Sequence, residues 1–467
     1  MMKRIRLLSA FIMAGLAACG GGSAVTREQL DRIDAMMVPT DALAALVQLD
    51  QAHPKDFGVK LRLGELYLKL GQLDVSVVYL RRAHELGRER HAPKEAARLA
   101  MLEYARALIL QGKPGDAIPV VASAAAAGDA AALLVRARAC TQSGNSKAAL
   151  ADFRSAWNAK DAPVSAADYT LYAQALAAEE RYAEGLKILQ ECEQSLGYQP
   201  GTGLLESSIL EKLGMAGQSI LAAFKETLYQ ETQGAISRDQ IDKNLSTLAV
   251  RSDVAGMTGV NQQMLIRGLK RYLHAQWADA SRALAQGLKG VDDPFARYLL
   301  LACSLEKDAV TVPALNEFTA LETRYRNFPD FYYHLWRGMK KGPGAYRLAN
   351  VRSVLEKMIL LAPTSGAASE TRVELGRLLD VDPEDAKHIL LPAELDHAYA
   401  RLQSGADPVS ILPPVLRLLS IRRENVYTSD GVLMLKSAAT LPAVSAYLAD
   451  QVKQASGALK DRLKQLL

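Results

Sequence analysis

The chain has 467 residues, of which 49% are apolar and 23% charged. That is the balance of a packed protein, and it excludes disorder, collagen-like repeats and a pure disulfide scaffold. Aromatics are only 6% while Ala and Leu abound, which favours helix over sheet, and a net charge of +5 over this length suggests no dedicated nucleic-acid surface.

Lys3, Arg4 and Arg6 form a basic start, followed by the short apolar run Leu7 to Ala14. The run is too short to span a membrane and its flanks read as a secretory signal. It ends in Leu16-Ala17-Ala18-Cys19, with Gly20-Gly21-Gly22-Ser23 behind it. This order resembles a bacterial lipobox. The resemblance implies cleavage before Cys19 (signal peptide 1–18), a diacylglycerol and usually an acyl (palmitate-type) chain on Cys19, and a flexible tether over 19–40. Two or three acyl chains on one residue make a lasting membrane anchor, where a single chain would not. Gly20 is not Asp, so the inner-membrane retention signal of enteric lipoproteins is absent, and the resemblance implies the periplasmic side of the outer membrane. Cleavage would also remove three positive charges and leave a nearly neutral body, which argues further against polyanion binding.

A repeat of about 34 residues follows. Lys60 to Ala83 contains Leu63-Gly64, Tyr67, Gly71, Ser76, Leu80 and Ala83. The next units hold Ala105, Leu108, Gly112, Ala117, Val121 and Ala124, then Ala137, Cys140, Gly144, Ala149, Phe153 and Ala156, then Ala173, Leu176, Tyr182, Gly185, Leu189 and Cys192. A weaker fifth has Ser207, Leu210, Gly214 and Ser219. Small residues let two helices approach, large ones fill the gap beside them, and Gly71, Gly112 and Gly144 end the first helix where a left-handed backbone is needed. One hairpin cannot bury its apolar face alone, so neighbours must stack. The spacing resembles the tetratricopeptide repeat (TPR). The resemblance implies an all-α solenoid of helical hairpins, with an array of about five repeats over 41–232.

The register weakens over 233–260, which reads as a linker with room for one polar helix. A degenerate TPR-like region follows over 261–380: Gly268, Tyr272, Trp277, Ala280 and Leu284 resemble one unit, Phe295 to Cys303 starts another helix, and Gly342-Pro343-Gly344 breaks two helices apart. The rest, 381–467, reads as C-terminal helices. Leu448, Val452, Ala455, Leu459, Leu463 and Leu466 form one helical stripe in Val444 to Leu467, which suits a capping helix or, alternatively, a helix docking on a partner or a membrane surface.

Chemistry leaves few traces. Gly201-Thr202-Gly203 lacks the Gly-Lys-Ser/Thr of a phosphate loop and reads as a turn between helices. His388 and His397 with Glu394 and Asp396 fail as a metal cluster because Pro392 breaks helical ligand spacing. Cys140, Cys192 and Cys303 are widely spaced without a CxxC and read as small core residues. No catalytic group, metal or cofactor is expected. Phe318, Tyr325, Phe328, Phe331, Tyr332, Tyr333 and Trp336 crowd nineteen residues. They read as the core of one hairpin or, alternatively, as an aromatic pocket in which Phe331, Tyr332 and Trp336 meet a ligand.

In the family that the chain resembles, first-helix residues line a concave face that receives partners. The resemblance carries over to a polar row, Glu65, Arg106, Arg138 and Gln174, and to a row Leu61, Leu102, Leu134 and Thr170. Apolar anchors beside charged groups suit a peptide or helix groove, although Arg106 and Arg138 could equally pair with acidic neighbours. The family's dicarboxylate clamp wants Lys and Asn where Leu stands, so that activity is not carried over. The expectation is a non-enzymatic, membrane-anchored envelope scaffold that binds a protein or peptide partner and no nucleic acid. The alternative is a ligand-binding or transporter-associated envelope component with its pocket in the C-terminal half.

Overall fold

A computed structural model of the protein describes residues 25–34, 39–89, 92–250, 259–403 and 406–466. Residues 1–24, which hold the expected signal peptide and Cys19, lie outside the described residues. The described residues form 27 helices and no strand. They divide into two compact units: residues up to 175 with 396–412 and 438–448, and residues 176–395 with 413–437 and 449–467.

In chain order the helices are α1 (Arg27–Asp34), α2 (Pro39–Ala52), α3 (Phe57–Lys69), α4 (Leu73–Glu89), α5 (Lys94–Leu110), α6 (Pro114–Ala126), α7 (Ala130–Gln142), α8 (Ser146–Trp157) and α9 (Ala166–Ala178). They continue with α10 (Tyr182–Leu196), α11 (Thr202–Lys212), α12 (Ala216–Thr232), α13 (Arg238–Val250), α14 (Gly259–Leu273), α15 (Trp277–Gly287), α16 (Pro294–Leu305), α17 (Val312–Thr319), α18 (Glu322–Tyr325) and α19 (Pro329–Lys341). The last are α20 (Leu348–Leu361), α21 (Gly366–Leu378), α22 (Pro383–Ala386), α23 (Pro392–Gln403), α24 (Pro408–Ser420), α25 (Val426–Ala438), α26 (Pro442–Gln454) and α27 (Gly457–Lys464).

In the first unit each helix from α3 to α8 packs on its sequence neighbours, and α3 touches α5 as α5 touches α7. This is the all-α, TPR-like hairpin stack. The pairing has a fixed register. Gly64 of α3 meets Leu80 of α4, sixteen residues on, so closely that a Cβ at Gly64 would fall 2.5 Å from Leu80 Cγ. Twelve residues on, Ser76 Oγ donates to the Gly64 carbonyl at 2.7 Å. Ala105 with Val121 and Ala137 with Phe153 hold the same register and are fully buried. The second unit repeats it: Ser219 Oγ donates to the Ser207 carbonyl at 2.9 Å, and a Cβ at Gly268 would fall 2.7 Å from Leu284 Cγ.

The turn seven residues after each small position is equally regular. Gly71, Gly112, Gly144 and Gly214 take positive φ there. The amide after each, as from Gln72 to the Tyr67 carbonyl and from Lys113 to that of Leu108, closes the helix end in a Schellman turn. At the same position stand Glu180 (φ 58°) and Ala275 (φ 56°), where a side chain meets the left-handed penalty.

Two expectations are corrected. The stretch expected as tether contains α1, whose Leu30 and Ile33 pack with Leu46 of α2 and Val59 and Leu63 of α3. Arg62, buried on α3, clamps both carboxylate oxygens of Asp34 at 2.9 and 2.8 Å. The stripe from Val444 to Leu466 is not one helix. It breaks between α26 and α27, where Ser456 is extended and Gly457 takes φ 57°. Matching side-chain spacing across the break hid the interruption.

In the second unit, aromatic residues from distant segments share one core. Tyr198, Phe224, Tyr272, Phe295, Tyr298, Phe318, Tyr325, Phe328, Phe331 and Tyr332 belong to a single buried cluster.

The hairpin α14–α15 tests both packing rules with opposite signs. Gly268→Val should lower the free energy of unfolding by about 1–3 kcal/mol through overpacking against Leu284. Ala275→Gly, seven residues on, should raise it by about 1 kcal/mol by removing the left-handed penalty. Urea unfolding of the two variants measures both.

Candidate functional site

The first helices of successive hairpins build one face of the first unit. On it the two rows expected from sequence part company. Leu61, Leu102 and Leu134 are buried. Each stands three residues before the small residue of its helix, hence on the same side of that helix, and is drawn into the core between helices. They are therefore not open apolar anchors, while Thr170, in the corresponding place, is half-buried.

The polar row follows each small residue by one position and is turned away from that core. Glu65, Arg106 and Arg138 are half-buried and Gln174 is exposed. Both arginines have acidic partners within the chain. Arg106 Nη1 binds Glu103 Oε1 on its own helix. Arg138 grips Asp168 bidentately, Nε to Oδ1 at 2.6 Å and Nη2 to Oδ2 at 2.7 Å. Asp168 is fully buried and also accepts the Ser165 amide and hydroxyl. This arginine is thus committed to holding α9 against α7. Glu65 differs. Burial, with Glu103 close by, pushes its carboxyl up to about 7.

The glycine-rich turn of the second unit does cradle an anion, but its own. Gly201, at φ 84°, donates its amide to both oxygens of Glu226 at 3.0 and 2.9 Å, and the Tyr198 hydroxyl donates to the same carboxylate. Nearby, Lys225 Nζ reaches Glu193 at 3.2 Å and Glu206 at 3.0 Å. Burial opposes the charge on Lys225, yet the two carboxylates outweigh it and its affinity for the proton rises.

The aromatic segment is packed, not open. Phe331, Tyr332 and Trp336 are buried, with the Tyr332 hydroxyl on Glu322 and the Arg326 carbonyl and the Trp336 indole N–H on the Tyr346 hydroxyl. Two of their neighbours do reach a cavity. Asp330 and Tyr333 line a cleft of about 440 Å³ together with Tyr272 and Trp277. Behind it, Tyr272 and Tyr298 donate to Asp330 Oδ2 at 2.8 and 2.7 Å, and the Tyr272 hydroxyl meets His334 Nε2 at 2.8 Å. His334 Nδ1 lies 3.0 Å from Glu306. Burial works against ionisation of Glu306, but His334, Arg337 and Lys341 overcome it and hold the carboxyl at about 2. Sequence reasoning missed this cleft because its walls come from segments up to 142 residues apart, Leu228 to Glu370. The one signal on offer was the polar Asp330 inside an aromatic run.

Cys140, Cys192 and Cys303 are buried free thiols, and burial pushes the last two up to about 11 and 12. Among the described residues no three or more His, Cys, Asp or Glu side chains are grouped to hold a metal ion. No described helix is long and apolar enough to cross a membrane.

The sequence matches no protein-family model and no curated protein. Among solved structures it is similar to one described as Naa15/Naa10 bound to HypK-THB, at 14% identity, covering 99% of this chain and 73% of that chain, with a TM-score of 0.25.

Two measurements probe this face. Glu65 holds its proton more tightly folded than unfolded. Between about pH 4.5 and 7 the folded chain therefore binds more protons, and this residue's contribution to stability falls as pH rises through that window. Glu65→Gln should remove that slope, so the stability difference between variant and parent should grow from pH 4.5 to 7 in thermal melts. Arg138→Ala should cost about 3–5 kcal/mol by leaving Asp168 buried and unpaired. Adding Asp168→Asn should restore part of the loss in the same melts.

Proposed function

We propose that the chain is a lipid-anchored scaffold of a bacterial cell envelope, carried on the periplasmic side of the outer membrane, whose first unit holds a protein or peptide partner. The observation that carries this reading is the continuous face made by the contacting first helices α3, α5 and α7. It brings the polar row of successive repeats together while the leucine row stays in the core. Affinity for a partner on such a face comes from hydrogen bonds and charge along the row, with Glu65, Arg106 and Gln174 as the accessible groups. A partner segment with free backbone amides and carbonyls and mixed charge fits it best. Arg138 serves the stack and is not counted as a binding residue.

The anchor rests on sequence alone: the basic start, the apolar run and Leu16-Ala17-Ala18-Cys19. An acylated scaffold gains by concentration, since a partner confined to the same membrane is met at a far higher effective concentration than in bulk. Nothing in this reading asks for catalysis, a metal or a cofactor.

The test combines both halves. A photocrosslinking residue is placed at Arg106 or Gln174 in the native envelope, with Arg154, exposed on the second helix α8, as control. One protein captured from the first two sites and not from the control is the expected result. Equal capture at all three, or none, would sink the partner face. In parallel, Cys19→Ser should move the protein from the membrane to the soluble fraction; retention in the membrane would refute the acyl anchor.

A further inference from the structure

The second unit holds the cleft of about 440 Å³ described above, inside the roughly 300–1,000 Å³ range of small-ligand sites. Its walls combine two chemistries. Tyr272, Trp277 and Met358 give it apolar and aromatic sides, and Glu231, Asp330 and Glu370 give it carboxylates. Among the lining residues the one cation is Arg238, and its Nε is already taken by Glu231 at 2.9 Å. Arg337 stacks on the Tyr333 ring, but it lies off the lining and its Nε points at both oxygens of Glu306. The lining therefore carries an excess of negative charge.

Asp330 is the deepest of these acids, with 12% of its side chain exposed. Its Oδ2 is held by two phenol O–H groups, which fix the carboxylate in place without neutralising it. Its Oδ1 lies 3.6 Å from His334 Nε2, too long for a hydrogen bond but an ion-pair distance when that imidazole is protonated, so His334 offsets part of the charge from behind the cleft. Trp277 meets Tyr272 and His334 at right angles, with ring centroids 5.2 and 5.1 Å apart, so neither ring lies flat on it. A carboxylate set in an aromatic corner attracts a cation twice, by charge and by the negative face of the rings. An anionic ligand would face Asp330 and Glu370. A wholly apolar one would cover Asp330 without a partner, at the usual cost of burying a charge.

We infer that this cleft binds a small organic cation, an ammonium or guanidinium group on a short carbon chain, with the charge at Asp330 and the chain against Trp277 and Met358. The same group comes from two sources, a free amine or the basic side chain of a peptide, and the experiment separates them. The inference is independent of the anchor and of the face on the first unit.

The full chain, purified in detergent, is titrated by calorimetry and by tryptophan fluorescence. The probes are n-butylguanidinium, N-acetyl-arginine amide and an end-blocked Gly-Arg-Gly peptide, whose single charge is the guanidinium, each alongside its uncharged urea or citrulline counterpart. The expected result is saturable binding of at least one guanidinium probe, weakened about tenfold or more in the uncharged counterpart. Glu370→Gln, at the exposed rim, should weaken binding while leaving the melting temperature unchanged, and Asp330→Asn should weaken it further. Binding of n-butylguanidinium assigns the site to free small cations; binding of the peptide alone assigns it to a basic side chain. Equal binding of charged and uncharged probes, no response to Glu370→Gln and Asp330→Asn, or no saturable signal from any probe up to about 10 mM would overturn the inference.

Discussion

The rest of the structure depends on one contact: the missing or minimal side chain on a first helix against the large side chain sixteen residues later. At Gly64 and Gly268 there is no room for a Cβ beside Leu80 and Leu284. Helices held this close must turn back within a few residues, and so the chain ends each first helix with a left-handed residue seven positions on. The hairpin that results exposes apolar flanks on both sides, and stacking is the only way to cover them. A single short distance thereby sets turn chemistry, hairpin geometry and the need for an array.

Polar pairs then tie one repeat to the next. Arg62–Asp34, Arg98–Asp129 and Arg138–Asp168 in the first unit are separated by 28, 31 and 30 residues. Lys225–Glu193, Lys270–Asp242 and Arg337–Glu306 in the second are separated by 32, 28 and 31. These separations are close to one repeat. At Arg138 the arginine grips the fully buried Asp168 bidentately, a pair with one good geometry that fixes the stacking register there. The same economy removes those arginines from the pool available to a partner.

The hairpin register was legible in the sequence because it depends on residue size at fixed intervals. Gly64, Ala105, Ala137 and Gly268 all announced it. What the leucine row does was not. Leu61, Leu102 and Leu134 repeat as regularly as a binding row would, and periodicity does not say which side of a helix meets a neighbour. The fate of Arg138 was open for a similar reason, since its partner Asp168 stands 30 residues away in a different helix. The aromatic run offered two readings, and the structure divides it: Phe331, Tyr332 and Trp336 go to the core, while Asp330 and Tyr333 reach a cleft. Side chains one position apart on a helix point about 100° from each other, so Tyr333 reaches the cleft while its neighbour Tyr332 stays in the core.

The docking of α1 on the first hairpin carries a consequence for reach. Were the chain free from Cys19 to residue 40, a lipid-held protein could wander well away from the bilayer. With Arg27 already part of a helix clamped by Arg62, only seven residues lie between it and Cys19, a span of at most about 25–30 Å even when drawn straight. An acyl group on Cys19 would then keep the start of α1, and through it the docked end of the array, tethered close to the headgroups.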